Sequence, residues 1–236
     1  SHSSIETFKD CPRRHYLDHV VYAYEDELED PDVAGTDNYI DSATVGTLFH
    51  EVAEEAYWRK YSDQTEWEEA LGQIQNRFEA SDAECELAKD AIDRYFETAL
   101  PEWEQLAAEW PFILDDYLDG LGGNVKGFVD GVFRKPSGEL VVLDFKTTRE
   151  KKSIQESYQL LLYFEAVNEY LDDSQIDSAG YVYVGEAGPD IDLYTPLDLL
   201  DYKDELERDL RAADTSNYGN YSNGDFCADC LHHSLG

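Results

Sequence analysis

Residues 140–146, Leu-Val-Val-Leu-Asp-Phe-Lys, run apolar and end in charge, and no other stretch restricts the fold of this chain more. An apolar run this short, opening just after Pro136-Ser137-Gly138, reads as a buried strand. Val125 to Arg134 before that turn has the same character, and Pro111 to Leu121 precedes it across Gly122-Gly123-Asn124. The three predict an antiparallel meander. Ser153 to Tyr170 then takes a helical period, Gly180 to Gly185 and Asp190 to Tyr194 read as strands, and Leu197 to Ala212 as a helix. Strands followed by a crossover helix and a further strand predict an α/β fold, a mixed sheet flanked by helices.

The first half of the chain reads differently. Ser3-x-x-Glu6 is a capping box opening a short helix that carries Cys11, and residues 22–43, acidic and broken by Pro31 and Gly35, read as a loop. Val45 to Tyr61 is helical, with Leu48, Val52, Ala56 and Arg59 on neighbouring turns, and helices over 64–79 and 82–107 follow. The stretch 62–108 therefore reads as a helical insertion within one domain spanning residues 1–236. A start at Ser1-His2-Ser3-Ser4 and the absence of Met predict a piece processed or cut from a longer protein. No apolar run is long enough to span a membrane and no secretory leader opens the chain, which predicts a cytoplasmic protein without a membrane partner.

Charge narrows the reading further. Asp and Glu number 53 against 18 Lys and Arg, a formal net charge of -35. An acidic mimic of nucleic acid would gather its carboxylates in one patch. Here they are spread through every segment, which predicts adaptation to high salt, where self-repulsion is screened within about 3 Å. Seven of the 18 basic residues nevertheless fall between 126 and 152: Lys126, Arg134, Lys135, Lys146, Arg149, Lys151 and Lys152. A phosphate-bearing ligand and a solvated charged hairpin account for that cluster equally well.

The chemistry concentrates in the same region. Positions two apart on a strand share a face, so Asp144 and Lys146 project together, and a meander pairing brings Asp130 of Gly127-Phe128-Val129-Asp130-Gly131 alongside. Two carboxylates at one point make a hard oxygen site suited to Mg²⁺ or Mn²⁺, with an ammonium beside it. A strand-end Asp–Lys salt bridge is the plainer alternative, although Asp144 ends an apolar run where an uncompensated charge is costly. In the helix after residue 153, Gln159 and Tyr163 are four apart and share a face. His50 lies in the first long helix, and Glu54 stands where a zinc protease would need its second histidine, which excludes that reading.

Taken in order, Cys11-Pro12-Arg13-Arg14, Gly46-x-x-x-His50, Gly127-x-x-Asp130, Asp144-x-Lys146-Thr147, Gln159-x-x-x-Tyr163 and Cys227-x-x-Cys230 resemble the RecB-like nucleases of the PD-(D/E)XK superfamily. The opening most resembles nuclease domains fused to UvrD-like or AddB-like helicases, with CRISPR-associated RecB-like nucleases as closer kin than restriction enzymes. The resemblance implies a restriction-endonuclease-like core that hydrolyses phosphodiester bonds of DNA, single strands or ends, in repair or recombination. It implies that His50, Asp130, Asp144 and the Phe145 carbonyl ligate Mg²⁺ or Mn²⁺ and that Lys146 is the catalytic lysine. Gln159 would position substrate or water, Tyr163 would support the site or touch DNA, and Lys126 and Arg149 would meet phosphate. An ATP-dependent helicase in the same chain or complex is the implied partner.

In such relatives one N-terminal and three C-terminal cysteines hold a [4Fe-4S] cluster. Cys11, Cys227 and Cys230 fit, but Gly236 stands where the fourth would fall. His232 or His233 could complete the set instead, or make a zinc site with the three cysteines. Cys85, in a helical stretch, reads as a buried thiol. The rival to catalysis is a non-catalytic DNA-binding or assembly module kept for its cysteine staple. It predicts loss of Asp130, Asp144 or Lys146, and all three are present.

Overall fold

The computed structural model describes residues 41–115, 125–154, 158–171 and 175–215. Cys11, Cys227, Cys230, His232 and His233, the first short helix and most of the 22–43 loop lie outside them. The chain divides into a larger unit, residues 38–112 and 128–201, and a smaller one, residues 1–37, 113–127 and 202–236. In chain order the elements are α1 (Ser42–Arg59), α2 (Gln64–Phe78), α3 (Asp82–Glu97), a 3-10 turn (Leu100–Glu102), β1 (Glu104–Leu114), β2 (Val125–Arg134), β3 (Leu140–Lys146), α4 (Gln159–Tyr170), β4 (Ser178–Tyr183), β5 (Asp190–Tyr194), α5 (Pro196–Leu200) and α6 (Lys203–Thr215). The smaller unit contributes the end of β1, the start of β2, and α6 with its buried Leu206. Among the described residues no helix is long and apolar enough to cross a membrane.

The sheet has five strands in the order β1-β2-β3-β4-β5. β2 and β3 pair antiparallel, β3 and β4 parallel, and β4 and β5 antiparallel. This is the mixed α/β sheet with flanking helices that the sequence predicts. Alternation along β3 decides which side chains go where. Val141, Leu143 and Phe145 join the core shared with α1, α2 and α3, where Phe49 meets Phe145 edge-on at 5.4 Å and Trp67 stacks on Tyr95 at 4.5 Å. Asp144 and Lys146 alternate to the opposite face, and α4 covers it through Gln159. Cys85 is half-buried on α3 and packs against the core.

Capping explains why the helices begin where they do. Asp63 and Ser81 each form a reciprocal capping box, with Glu66 and Glu84 respectively. Glu84 is buried and also accepts the Asp41 amide at 3.0 Å, which ties the start of α1 to α3.

Four boundaries differ from the sequence reading. The helix expected over 82–107 stops at Glu97, because Thr98 turns extended and Pro101 begins a 3-10 turn. Residues 104–108, expected as helix on the strength of Glu and Ala, already belong to β1. Sheet pairing has overridden helix propensity there. Finally, the helix expected from Ser153 begins at Gln159, and the one expected over 197–212 is split between α5 and α6.

Candidate active site

Five elements of the larger unit converge on one point. The antiparallel ladder of β2 and β3 ends at Gly131 opposite Leu143, so the next step would set Asp130 against Asp144. There the Asp130 side chain replaces the backbone: its Oδ2 accepts the Phe145 amide at 2.8 Å. From α1, His50 places Nδ1 3.6 Å from the same oxygen and 3.2 Å from Oε1 of Glu109 on β1. From α4, the Tyr163 hydroxyl donates to Asp130 Oδ1 at 3.3 Å and accepts from Gln159 Nε2 at 2.9 Å. The Gln159 oxygen in turn accepts from Lys146 Nζ at 2.9 Å. One chain of contacts thus runs from Lys146 through Gln159 and Tyr163 to Asp130 and His50.

Asp144 is the exception in this network. It is 1% exposed, and neither carboxylate oxygen has a hydrogen-bond partner among the described residues. Lys146 Nζ forms an ion pair with Oδ2 at 2.6 Å. Burial, together with the Asp130 charge and against the opposing pull of Lys146, pushes the Asp144 carboxyl up to about 7. Burial also raises Asp130, with His50 and the Phe145 amide opposing it. For His50, burial favours the neutral ring, but Asp130, the Glu109 hydrogen bond and Asp144 together outweigh it and raise the imidazole to about 9. Burial and the two aspartates hold Tyr163 well above the usual phenol range, so it remains a donor.

A divalent cation fits this arrangement. His50, Glu109 and Asp130 each offer an atom within 4.8 Å of the others. A buried carboxylate without hydrogen bonds, at Asp144, is what a nearby cation would satisfy. One imidazole with several carboxylates matches the donor preference of Mn²⁺ and, with fewer nitrogens, of Mg²⁺. Glu109 is the member that the sequence reading missed. It sits in β1 at φ 42, a left-handed conformation rare for a non-glycine residue inside a strand. The nearest signal in the chain is Pro111, two residues on, where the sequence reading began its first strand.

Of the other site residues read from sequence, Phe145 donates its amide to Asp130 and turns its ring edge-on to His50 at 6.1 Å. Arg149 is 84% exposed and pairs with Glu186 at 3.5 Å. Lys126 is exposed at the start of β2, in the smaller unit. Most of the basic cluster is already paired: Arg134 with Glu104, Lys135 with Glu139, and Lys151 with Asp190 and Asp192.

Loading a cation requires a neutral His50 and an ionised Asp144. Binding should therefore release protons, and affinity should rise with pH from below Asp144's value of about 7 to above His50's of about 9. Stability without metal runs the other way. Both groups hold protons in the folded state that the unfolded chain has released above its ordinary values of 3.8 and 6.5, so stability falls as pH rises through about 7 and about 9. Calorimetric titration of Mn²⁺ in buffers of different ionisation enthalpy checks this; pH-independent affinity without proton release would contradict it.

Comparison with known proteins accords with the geometry. No curated protein sequence matches the chain. A crystal structure of a presumed exonuclease from Eubacterium rectale superposes with a TM-score of 0.58 at 13% identity, over 98% of this chain and 86% of that one. At such identity the likeness concerns the fold. A second solved structure, SSO0001, aligns with a TM-score of 0.39 at 18% identity, over 84% of this chain and 88% of that one. The family model of the PD-(D/E)XK nuclease superfamily matches residues 1–235. Carrying that match across nearly its whole length, and with an Asp-x-Lys strand facing a histidine and two further carboxylates, the chain belongs to the PD-(D/E)XK nuclease superfamily.

Proposed function

We propose that this chain is a metal-dependent deoxyribonuclease that hydrolyses phosphodiester bonds in single-stranded DNA or at DNA ends. The observation that carries the reading is the convergence of His50, Glu109 and Asp130 next to the buried ion pair of Asp144 with Lys146. His50, Asp130 and Asp144, with Glu109 as an added ligand, would hold Mg²⁺ or Mn²⁺. When bound, the cation supplies Lewis acidity toward the scissile phosphate.

The remaining work falls to the chain's own residues. Lys146 places an ammonium beside the carboxylates, where it offsets charge developing on the phosphoryl oxygens. Gln159 accepts a hydrogen bond from that ammonium, and Tyr163 links Gln159 to Asp130. Arg149 and Lys151 already have acidic partners, and so does Lys146 in Asp144, so the reacting phosphate would be drawn to the site by the bound cation. The helicase partner and the cysteine staple at Cys11, Cys227 and Cys230 rest on the sequence resemblance alone.

Linear single-stranded, circular single-stranded and blunt duplex DNA, each incubated with Mn²⁺ in molar KCl, test the substrate. Linear single strands should be degraded fastest. Equal cleavage of all three would overturn the preference for single strands and ends.

A further inference from the structure

One helical face links the site to a second feature. His50 and Tyr57 are seven residues apart on α1, two turns, and both side chains bond to β1: His50 to Glu109, and the Tyr57 hydroxyl to the Leu106 carbonyl at 2.7 Å. Beyond Tyr57 opens a cleft of about 250 Å³ walled by Tyr57, Tyr61, Phe96 and Trp103, with Trp67 and Tyr95 among its deeper residues. It is smaller than the pockets of roughly 300–1,000 Å³ that hold whole drug-sized molecules, and suits a single planar group. Two cations attend it. Lys60 places Nζ 4.0 Å from the Tyr57 ring centre, and Lys135 lies 5.4 Å from that of Trp103. Lys135 is shared with Glu139, but Lys60 has no carboxylate partner among the described residues, in a chain with 53 acidic and 18 basic residues.

We propose that this cleft is a base-binding subsite for the single strand of DNA that runs through the active site. The proposal rests on the deoxyribonuclease reading and adds to it where the strand is gripped. Aromatic faces accept any base, and an ammonium that rests on a ring and has no carboxylate partner among the described residues suits the adjoining phosphate. The seven-residue spacing along α1 corresponds to ~10 Å. About three nucleotides cover that distance at the ~3.4 Å rise of one strand, and fewer where the strand is pulled straight. The cleft therefore takes a base close to the scissile bond, and an affinity gained from ring faces is less exposed to salt than one gained from phosphates.

Binding of a fluorescent oligodeoxythymidylate in EDTA, where no cleavage occurs, tests the subsite by anisotropy. Trp103→Leu keeps apolar volume and removes the ring. Lys60→Gly removes the ammonium at a position whose φ of 61 a glycine accommodates, so it should keep the fold even if Trp103→Leu does not. The expected result is about tenfold weaker binding for Trp103→Leu and about threefold for Lys60→Gly, with unchanged melting for the latter. Wild-type affinity in the folded variants, or no binding by wild type, would overturn the subsite and leave the cleft a gap in packing. Cleavage of the same oligonucleotide by wild type with Mn²⁺ is read separately. Cleavage with unaltered variant binding removes the subsite alone; weakened variant binding without any cleavage keeps the subsite and removes the nuclease reading.

Discussion

Lys146→Ala is expected to slow DNA cleavage by about a thousandfold at saturating Mn²⁺ while the protein remains folded. The ammonium has two partners, Asp144 at 2.6 Å and Gln159 at 2.9 Å, so it is already positioned before the reaction. Removing one partner of a buried ion pair usually destabilises strongly, because the other charge is stranded. Asp144 has an exit from that penalty. Its carboxyl is already raised to about 7, and without Lys146 it takes up a proton near neutral pH instead of remaining ionised in the core. Lys146→Arg should not restore activity, since the planar guanidinium does not reproduce the compact ammonium between Asp144 and Gln159. Single-turnover cleavage rates, with circular dichroism as the folding control, check this. A loss of less than about tenfold in folded Lys146→Ala would remove the lysine from the chemistry.

Gly185→Ala is expected to cost about 3 kcal/mol or more of stability, although it lies outside the site. A methyl group there would stand 2.2 Å from the Thr147 carbonyl oxygen, 2.3 Å from its carbon and 2.5 Å from the Thr148 oxygen. These are backbone atoms, so no side-chain rotation relieves the clash. The same turn donates the Val184 and Gly185 amides to the Lys146 carbonyl, at 2.9 and 3.2 Å. Pushing it away displaces the residue that carries the ammonium. In a chain of 236 residues the stability loss lowers Tm by on the order of 10 °C, and cleavage should fall with it. Gly72 is the control. It is an exposed helical position with nothing within 4 Å of an added methyl group, so Gly72→Ala should raise stability by about 0.5–1 kcal/mol. Thermal unfolding of the two variants side by side decides the point, and equal melting temperatures would refute the steric argument.

Where local pattern alone governed structure, the sequence was a good guide. β3 and β4 are short apolar runs that fit only a buried strand, and period-two alternation along β3 sends Phe145 inward and Asp144 with Lys146 the other way. The i, i+4 spacing of Gln159 and Tyr163 likewise survives as a direct hydrogen bond. Glu109 was not legible, because its position depends on β1 lying beside β2 and on an unusual backbone angle, while its Glu- and Ala-rich surroundings favour helix locally. The basic cluster misled for a related reason. Lys151 meets Asp190 and Asp192, and Arg134 meets Glu104, across sequence separations of thirty residues or more. Counting charges along the chain cannot reveal that they neutralise one another in space.

The central claim is that the His50, Glu109, Asp130 and Asp144 cluster holds a divalent cation that hydrolysis requires. The most direct measurement is cleavage of labelled single-stranded DNA by wild type and Asp130→Asn, each with Mn²⁺ and with EDTA. Asparagine keeps an oxygen to accept the Phe145 amide, so the ladder end should hold while the carboxylate charge is lost. The expected result is cleavage by wild type with Mn²⁺, none in EDTA, and a loss of about a hundredfold or more in Asp130→Asn. Undiminished cleavage in EDTA, or full activity in folded Asp130→Asn, would contradict it.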